Sequence, residues 1–343
     1  MIKVCFVSYQ AIRLLSGGPQ TQIFETKRVL EELGVSVSLY NMWEKFDPKS
    51  YDLFHIFGTG ISNYHFMREM SKLGIKIVLS PIFYSTHSAS FIKNVLVLDR
   101  LIFSRLRGIW IDYRLVSDMC RWADAILPNT NSEAMLIKKG FNISDEKIFV
   151  VPNGVNSKFL NANPEIFVKH YNLKNFILNV GHIGPGRKNL LRLVQALKSF
   201  DVPSVIIGRV EKGIEYEKIR KNSSQRTLLL DNLPNESELL ASAYAACDVF
   251  VLPSLFETPG IAALEAALAG AKIVITKYGG TQEYFKNYAD YVDPFSVDSI
   301  VEGIKNALAR PKSDELKNFI KEQFLWENVG KKTMDVYLKL LNN

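Results

Sequence analysis

The sequence predicts an α/β protein built from two doubly wound domains with parallel sheets. Short apolar segments typical of buried strands alternate with amphipathic helical segments, and this alternation indicates parallel strands joined by crossover helices. The alternation starts again after a turn at residues 152–156, and 343 residues with 47% apolar side chains are enough for two cores. We therefore expect a first domain over residues 1–154 and a second over residues 155–324.

The elements follow in chain order. The first domain has a predicted helix over residues 21–33, and its predicted strands are residues 3–8, 35–40, 53–57, 76–79, 125–127 and 148–150. In the second domain the predicted strands are residues 176–180, 204–207, 227–230, 249–252 and 272–275. The last segment, residues 324–341, has the spacing of an amphipathic helix.

Composition limits the class of protein. No uncharged apolar run reaches the roughly 18 residues of a membrane-spanning helix, and the N-terminus reads as a strand rather than a signal peptide. Three scattered cysteines without metal-ligand spacing, Cys5, Cys120 and Cys247, favour a reducing cytosol. The net charge of +7 is modest and too dispersed to indicate a nucleic-acid partner.

One segment, residues 91–122, combines basic and apolar side chains. Its basic residues are Lys93, Arg100, Arg105, Arg107, Arg114 and Arg121. Such a stretch is suited to rest on an anionic membrane surface. The alternative is a packed helix whose charges are simply solvated.

Two glutamates eight positions apart, Glu257 and Glu265, lie across the predicted start of a helix. A buried strand precedes them, and the sequence predicts Thr258 as the helix N-cap with Pro259 at the first helical position. Backbone N–H groups near Gly260 and Ile261 would then bind a diphosphate, and Glu265, about two turns further in, would accept hydrogen bonds from a ribose diol. The alternative is two solvated glutamates.

A second glycine-rich loop ends in two cations. Residues 179–189 read as the end of a strand, a loop with three glycines, and then Arg187 and Lys188, which are suited to neutralise a diphosphate. A solvated cation pair is the alternative. No D-x-D motif follows a strand and no cluster has metal-ligand spacing, so we expect neither a metal nor another cofactor.

The segment from Glu257 to Glu265, the small-residue stretch at 266–275 and the Gly-Gly-x-x-Glu at 279–283 together resemble the E-x7-E region of glycosyltransferase family 4. That family contains retaining enzymes with the GT-B fold. The resemblance implies two Rossmann-like domains facing across a cleft, with the nucleotide-sugar donor on the second domain. It also implies a C-terminal helix, about residues 325–343, that returns to the first domain.

Further site residues rest on this resemblance. The family places a loop matching Gly17 and Gly18 over the donor diphosphate, and Lys188 matches the family's lysine. His182 stands where the family has an arginine, so either His182 or Arg187 supplies that cation. His87 matches the family's histidine near the reacting sugar, although it follows its strand later than expected. His55, which lies within a predicted strand, matches a structural position.

The predicted function is metal-independent, retaining transfer of a hexose-type sugar from a UDP- or GDP-sugar to a hydroxyl of a glycan or lipid-linked acceptor. We expect a cytoplasmic enzyme of cell-surface polysaccharide or glycolipid synthesis, with peripheral contact to the inner face of an anionic membrane as an option. The sequence leaves the nucleotide, sugar, acceptor and oligomeric state open. A non-catalytic nucleotide-sugar-binding protein of the same fold is one alternative. An NAD-dependent oxidoreductase is another, but residues 8–16 contain no glycine for the G-x-G-x-x-G that it needs.

Overall fold

A computed structural model describes residues 1–14, 17–102, 111–184 and 186–342. The chain forms two compact units. Unit 1 comprises Met1–Asn153 together with Trp326–Asn343, and unit 2 comprises Gly154–Leu325. Both units contain a parallel sheet covered by helices, so the predicted fold class of two doubly wound α/β domains is confirmed.

Unit 1 has a five-stranded parallel sheet in the order β2-β1-β3-β4-β5. Its strands are β1 (Lys3–Val7), β2 (Ser36–Leu39), β3 (Leu53–Phe57), β4 (Lys76–Ser80) and β5 (Ala125–Ile126). Its described helices are α1 (Gly18–Glu32), α2 (Ile61–Met70), α3 (Ala89–Leu101), α4 (Asp112–Trp122), α5 (Asn131–Phe141) and, from the end of the chain, α14 (Trp326–Leu341).

Alternate side chains of the unit 1 strands enter two separate cores. Phe6 and Leu53 belong to the core beneath α1 and α14, whereas Cys5 and Phe54 belong to the core beneath α2, α4 and α5. Because successive side chains of a strand point to opposite faces, a sheet with helices on both faces needs strands that are apolar throughout. This requirement explains why strands such as β1 and β4 were recognisable as short, mostly apolar runs.

The C-terminal helix α14 packs against α1 within unit 1, as predicted. The two helices approach closely at Gly330, where a Cβ atom would lie 2.6 Å from Cγ2 of Val29. Trp326 and Tyr337 of α14 are buried in the same core as β1. The predicted helical segment 324–341 is interrupted at Leu325, which is extended and bridges to Val155 of unit 2.

Unit 2 has a six-stranded parallel sheet in the order β11-β10-β9-β6-β7-β8. Its strands are β6 (Ile177–Val180), β7 (Ser204–Ile207), β8 (Thr227–Leu230), β9 (Val249–Leu252), β10 (Lys272–Thr276) and β11 (Asp290–Val292). Its helices are α6 (Glu165–Tyr171), α7 (Leu190–Leu197), α8 (Ile214–Asn222), α9 (Glu238–Ala246), α10 (Ile261–Leu268), α11 (Thr281–Phe285), α12 (Val297–Ala309) and α13 (Glu315–Phe324). In the described part of the chain, no helix combines the length and apolar character needed to cross a membrane.

One strand prediction was wrong, and one strand was missed. Residues 148–150 form no strand, and Ile148 makes only an isolated bridge to Ile126. The sequence did not reveal β11, a three-residue edge strand beside β10 that begins with a charged Asp290. Very short edge segments take their conformation from the neighbouring strand, and their own residue pattern is too brief to indicate it.

The strand orders place one topological switch point in each unit. The chain leaves β1 to one side for β2 and then to the other side for β3, and it does the same around β6 with β7 and β9. In doubly wound sheets, ligands bind outside the carboxyl ends of the strands at such points. The loops that follow β1, β3, β6 and β9 are therefore the candidate ligand-binding segments.

His55 links β3 to α14 in the core of unit 1. Its Nδ1 lies 2.6 Å from the Tyr337 hydroxyl and its Nε2 lies 2.9 Å from the Ser80 hydroxyl. Burial lowers the pKa of His55 to about 3, because the surroundings do not solvate an imidazolium. This environment agrees with the structural role predicted for His55.

We predict that unit 1 loses stability in mild acid through His55. The pKa of a histidine in the unfolded chain is about 6.5, so below that pH the unfolded chain binds a proton that folded unit 1 does not. The free energy of unfolding therefore has its full value above pH 6.5 and falls by about 1.4 kcal/mol per pH unit as the pH drops toward 3. Urea unfolding of wild type and His55→Gln at pH 7 and pH 5 measures this loss of free energy. Tryptophan fluorescence is a suitable signal, because all four tryptophans belong to unit 1 and so report its unfolding alone. Wild type should lose about 2 kcal/mol more than the variant. A control with His65→Gln, at an exposed histidine of unit 1, should behave like wild type. Equal pH slopes for wild type and His55→Gln would contradict the assignment.

Candidate functional site

The ladder between β6 and β9 ends early at the switch point of unit 2. The two strands pair only at Ile177 with Val249 and at Leu178 with Phe250. Beyond these pairs the buried Asn179 side chain replaces the backbone hydrogen bonds, since its Nδ2 donates to the Val251 carbonyl at 2.7 Å. The carboxyl ends of β6 and β9 are thus held together by a side chain, and the loops 181–189 and 253–260 leave from this point.

The first loop, residues 181–189, is fixed at both ends. Near its start, the Gly181 and Ile183 N–H groups donate to the carbonyls of Ile207 and Arg209. At its end, Asn189 adopts a left-handed conformation with φ 58°, and its buried Nδ2 donates to the Pro253 carbonyl at 2.9 Å and the Pro294 carbonyl at 2.7 Å. Asn189 therefore joins three loops at the carboxyl edge of the sheet.

An ion pair joins the two loops of the switch point. Lys188 Nζ lies 2.7 Å from Glu257 Oε1, and the side chains are 18% and 9% exposed. Arg187 Nη1 lies 3.6 Å from the same oxygen and donates to the Phe256 carbonyl at 3.2 Å. The structure thus brings together three residues that the sequence placed at the site from two separate motifs.

The charge state of Glu257 follows from these contacts. Burial by itself raises the pKa of Glu257, but the charges of Lys188 and Arg187 and the hydrogen bond from Lys188 outweigh it, so the pKa lies below its usual value. Glu257 is therefore ionised at neutral pH. A buried carboxylate of this kind is stable only while its cations remain in place.

The backbone of Glu257 is hydrogen-bonded on both sides to the loop that follows β10. Glu257 N–H donates to the Tyr278 carbonyl at 3.2 Å, and Gly280 N–H donates to the Glu257 carbonyl at 2.9 Å. Gly279, between these partners, has φ +98°, and a Cβ atom there would lie 1.9 Å from the Glu257 carbonyl oxygen. The first glycine of the Gly279-Gly280 pair is thus required for this close approach.

The predicted start of α10 was wrong. Thr258 is not the N-cap and Pro259 is not the first helical residue, because both lie in the loop and α10 begins at Ile261. Gly260 precedes the helix with φ +79°, and its carbonyl accepts hydrogen bonds from Ala263 and Leu264. The left-handed turn at Gly260 delays the helix by two residues, a conformation that glycine supplies more readily than threonine or proline.

Glu265 is buried on α10 and accepts a hydrogen bond of 2.8 Å from the hydroxyl of Tyr244, which is fully buried on α9. Burial, together with the Glu265 carboxylate, raises the pKa of Tyr244 well above its usual value, so the phenol stays protonated and donates. Sequence reasoning missed Tyr244. Its signal was a single tyrosine in the otherwise small and apolar end of α9, since a buried phenol needs a hydrogen-bond partner.

The remaining predicted residues lie elsewhere. His182 is half-buried at the start of the first loop, whereas Arg187, the alternative cation, lies beside Glu257. Gly17 and Gly18 precede and begin α1 in unit 1, after β1 at the switch point of that sheet. His87 is exposed in the loop after β4, with Nδ1 2.8 Å from the Tyr113 hydroxyl.

No group of three or more His, Cys, Asp or Glu side chains arranged to hold a metal ion occurs among the residues that the structure describes. The cysteines are unpaired and buried, and burial raises the pKa of the thiols of Cys5 and Cys247 to about 12. The thiols therefore lack the thiolate character of a nucleophile or a metal ligand.

Known proteins share this architecture. Residues 164–325 match the sequence model of the family described as glycosyl transferases group 1. The fold matches the sucrose-phosphate synthase of Thermosynechococcus elongatus with a TM-score of 0.80 over 100% of both chains, at 16% identity. It also matches Anabaena HepE, solved in complex with UDP, with a TM-score of 0.71 over 98% of this chain and 100% of that one, at 14% identity.

The fold is that of the GT-B glycosyltransferases. Among its relatives, an uncharacterised glycosyltransferase of Methanocaldococcus jannaschii is 28% identical over 57% of this chain and 55% of its own length. A UDP-Gal:α-D-GlcNAc-diphosphoundecaprenol α-1,3-galactosyltransferase of Escherichia coli is 25% identical over 85% of this chain and 73% of its own. This GT-B chain spans about half the length of the first curated relatives that it matches.

We predict that Gly279→Ala disrupts the Glu257 loop, and Gly270→Ala is its matched control. Gly270 has a similar φ of +93°, but its Cβ would meet nothing within 4 Å. Both variants carry the conformational strain, roughly 1–2 kcal/mol, and Gly279→Ala should lose about 1–3 kcal/mol more because the Glu257 backbone must move. Urea unfolding followed by far-UV circular dichroism measures the difference. Equal losses in the two variants would show that the close approach at Gly279 does not matter.

Proposed function

We propose that this GT-B protein is a retaining glycosyltransferase that moves a hexose from a nucleoside-diphosphate sugar to a hydroxyl group, without a metal ion. The observation that carries the proposal is the pairing of Lys188 and Arg187 with ionised Glu257 at the switch point of unit 2. A diphosphate needs cations and the sugar needs a hydrogen-bond acceptor. This arrangement offers both side by side, where the loops that follow β6 and β9 meet.

Lys188 is suited to bind the diphosphate while it holds Glu257. An ammonium group has three donors, and the contact with Glu257 engages one of them. The others are available to phosphate oxygens, together with the N-terminal N–H groups of α10 that follow Gly260. In the proposed site these groups balance the charge of the leaving nucleotide.

Glu265 is proposed to bind the ribose. Tyr244 holds one carboxylate oxygen in place, and the position of Glu265 on α10 puts it beyond the diphosphate site at Gly260 and Ile261. Glu257 precedes the helix and is proposed to face the sugar instead. The two glutamates would thus divide the donor between them.

The proposed transfer breaks the bond between the anomeric carbon and the diphosphate oxygen, and forms the bond to the acceptor oxygen on the same face of the sugar. The acceptor proton passes to the departing phosphate. This course rests on the resemblance to family 4. The ionised Glu257 contributes a negative charge near the sugar, which stabilises positive charge at the anomeric carbon.

A UDP-sugar is the first donor to test. One relative is named for UDP-Gal, and one protein of the same fold was solved with UDP. A thermal-shift panel of UDP, GDP, ADP and their sugars, followed by product analysis with the best donor, tests the proposal. Failure of every nucleotide to stabilise the protein would overturn it, and binding without transfer would favour a non-catalytic binding protein.

We predict that the two glutamates separate binding from turnover. Glu265→Ala should weaken binding of the best nucleotide by about 1.5–3 kcal/mol, the usual contribution of a charged hydrogen bond. Glu257→Gln should lower turnover far more than it weakens binding of the bare nucleotide. Calorimetry and initial rates measure both effects, with the exposed Glu238→Ala as a control. The division fails if Glu265→Ala leaves affinity unchanged, or if Glu257→Gln reduces both quantities equally.

Peripheral membrane contact through α3 is a further part of the proposal. Of the basic residues predicted there, Arg105 and Arg107 lie outside the described residues, and Arg114 and Arg121 bind Asp99 and the Phe141 carbonyl within the fold. The outer face of α3 is largely apolar, with Phe91, Val97, Leu98, Leu101 and the following Ile102 each between 45% and 63% exposed. Together with the exposed Lys93 and Arg100, this face suits an anionic lipid surface and a lipid-linked acceptor.

We predict that the double variant Leu98→Asn, Leu101→Asn loses sedimentation with anionic liposomes. Burying one leucine contributes about 1.5–3 kcal/mol, so each substitution should reduce binding at least about tenfold. Ile214→Asn, which replaces a residue that is 79% exposed in unit 2, should leave it unchanged. If wild type ignores such liposomes at low salt, α3 is an ordinary surface helix and a soluble acceptor is the better proposal.

A further inference from the structure

Ser85, His87 and Tyr113 form a closed ring of hydrogen bonds in unit 1. The backbone N–H of His87 donates to Ser85 Oγ at 3.0 Å. Ser85 Oγ lies 2.9 Å from the Tyr113 hydroxyl, and that hydroxyl lies 2.8 Å from Nδ1 of the His87 ring. Ser85 and His87 belong to the loop after β4, and Tyr113 lies in the first turn of α4. The ring was not predicted from the sequence, because Tyr113 is distant from Ser85 and His87 along the chain.

The ring has a preferred direction. A backbone N–H can only donate, so Ser85 Oγ accepts from His87 and its own hydrogen remains to be placed. If that hydrogen goes to Tyr113, the Tyr113 hydroxyl donates in turn to His87 Nδ1, and every hydrogen of the ring is used. In the reverse direction the Ser85 hydrogen has no partner in the ring. Head-to-tail chains of hydrogen bonds also strengthen one another, which favours the first arrangement.

The loop that carries the ring is held rigidly. Ile82 has φ +51°, a strained conformation for a β-branched residue, and such strain persists only where the surroundings enforce it. The buried Glu133 carboxylate supplies that restraint by accepting the N–H of Phe83 and of Asn129, both at 2.7 Å. Strain of this kind concentrates where a loop must present a side chain in a fixed position.

The imidazole ring itself is restrained on its face and at one nitrogen. His87 stacks on Phe91 with ring centroids 4.3 Å apart and an angle of 17° between the planes. Nδ1 is engaged by Tyr113, whereas Nε2 has no partner among the residues that the structure describes. Since His87 is exposed, a ligand can reach Nε2.

We propose that Ser85 and Tyr113 are positioning residues that hold neutral His87 in the tautomer with its proton on Nε2. His87 then presents a fixed N–H donor to an oxygen atom of a bound sugar, and it does not accept a proton there. The assignment of a sugar oxygen as the ligand rests on the proposed function. The tautomer and its cause rest on the ring alone.

Nitrogen NMR tests the tautomer in the absence of any substrate. Long-range proton–nitrogen correlation spectra of histidine-labelled protein at pH 8 distinguish a proton on Nε2 from one on Nδ1, and His87→Gln identifies the His87 signals among the five histidines. Wild type should show the Nε2–H form at His87. Tyr113→Phe should shift the signals toward a mixture, and Tyr51→Phe, a matched change elsewhere in unit 1, should leave them in place.

Three outcomes would overturn the proposal. They are an Nδ1–H form in wild type, an even mixture in wild type, and unchanged His87 signals in a folded Tyr113→Phe. If Tyr113→Phe fails to fold by near-UV circular dichroism, Ser85→Ala replaces it, because loss of the Ser85 hydroxyl removes the directing hydrogen and should also increase the Nδ1–H fraction.

Kinetics with the best donor then test the ligand. Tyr113→Phe should lower kcat/KM about tenfold, and wild-type kcat and KM in this variant would overturn the assignment of a sugar oxygen. If no donor is found at all, the proposed function fails while the NMR result still decides the tautomer. The two failures are therefore distinguishable.

Discussion

The contact between Lys188 and Glu257 is the interaction on which the site of unit 2 depends. The two residues come from loops that leave β6 and β9, the strands between which the sheet reverses its order. Parallel pairing stops there after two residue pairs, and Asn179 and Asn189 replace the ladder with side-chain hydrogen bonds to backbone carbonyls. A mostly buried ion pair is weak evidence for stability, because desolvation offsets the attraction between the charges. Under the proposed function, the pair is kept for binding a charged ligand.

The surrounding backbone shows what that arrangement requires. Gly279 lets the loop after β10 approach the Glu257 carbonyl, and Gly260 turns the chain into α10 with positive φ. Tyr244 holds Glu265 from a neighbouring helix. In unit 1 the loop after β4 has a comparable construction, since strained Ile82 is restrained by Glu133 and His87 is oriented by Tyr113. In both units a rigid set of strands carries loops whose polar side chains are held by partners distant in sequence.

The sequence was sufficient for the fold and for the identity of the main charged residues. Mostly apolar runs predicted β3, β7, β8 and β9 with their observed bounds, whereas the three-residue edge strand β11 was not predicted. Glu257 and Lys188 were recognisable from local motifs, but their contact depends on the order of the strands. The start of α10 was placed wrongly because the conformation of Gly260 overrides the local preference of Thr258 and Pro259. Tyr244 and Tyr113 were missed because their partners come from other elements.

Calorimetric titration with a nucleoside diphosphate and its matching monophosphate tests the central claim most directly, when wild type is compared with Lys188→Gln. If Lys188 holds Glu257 with one donor and the distal phosphate with the others, the variant should lose at least about tenfold in affinity for the diphosphate. Its affinity for the monophosphate should change little. Equal losses for both nucleotides, or none for either, would contradict the account and reduce the ion pair to a structural contact.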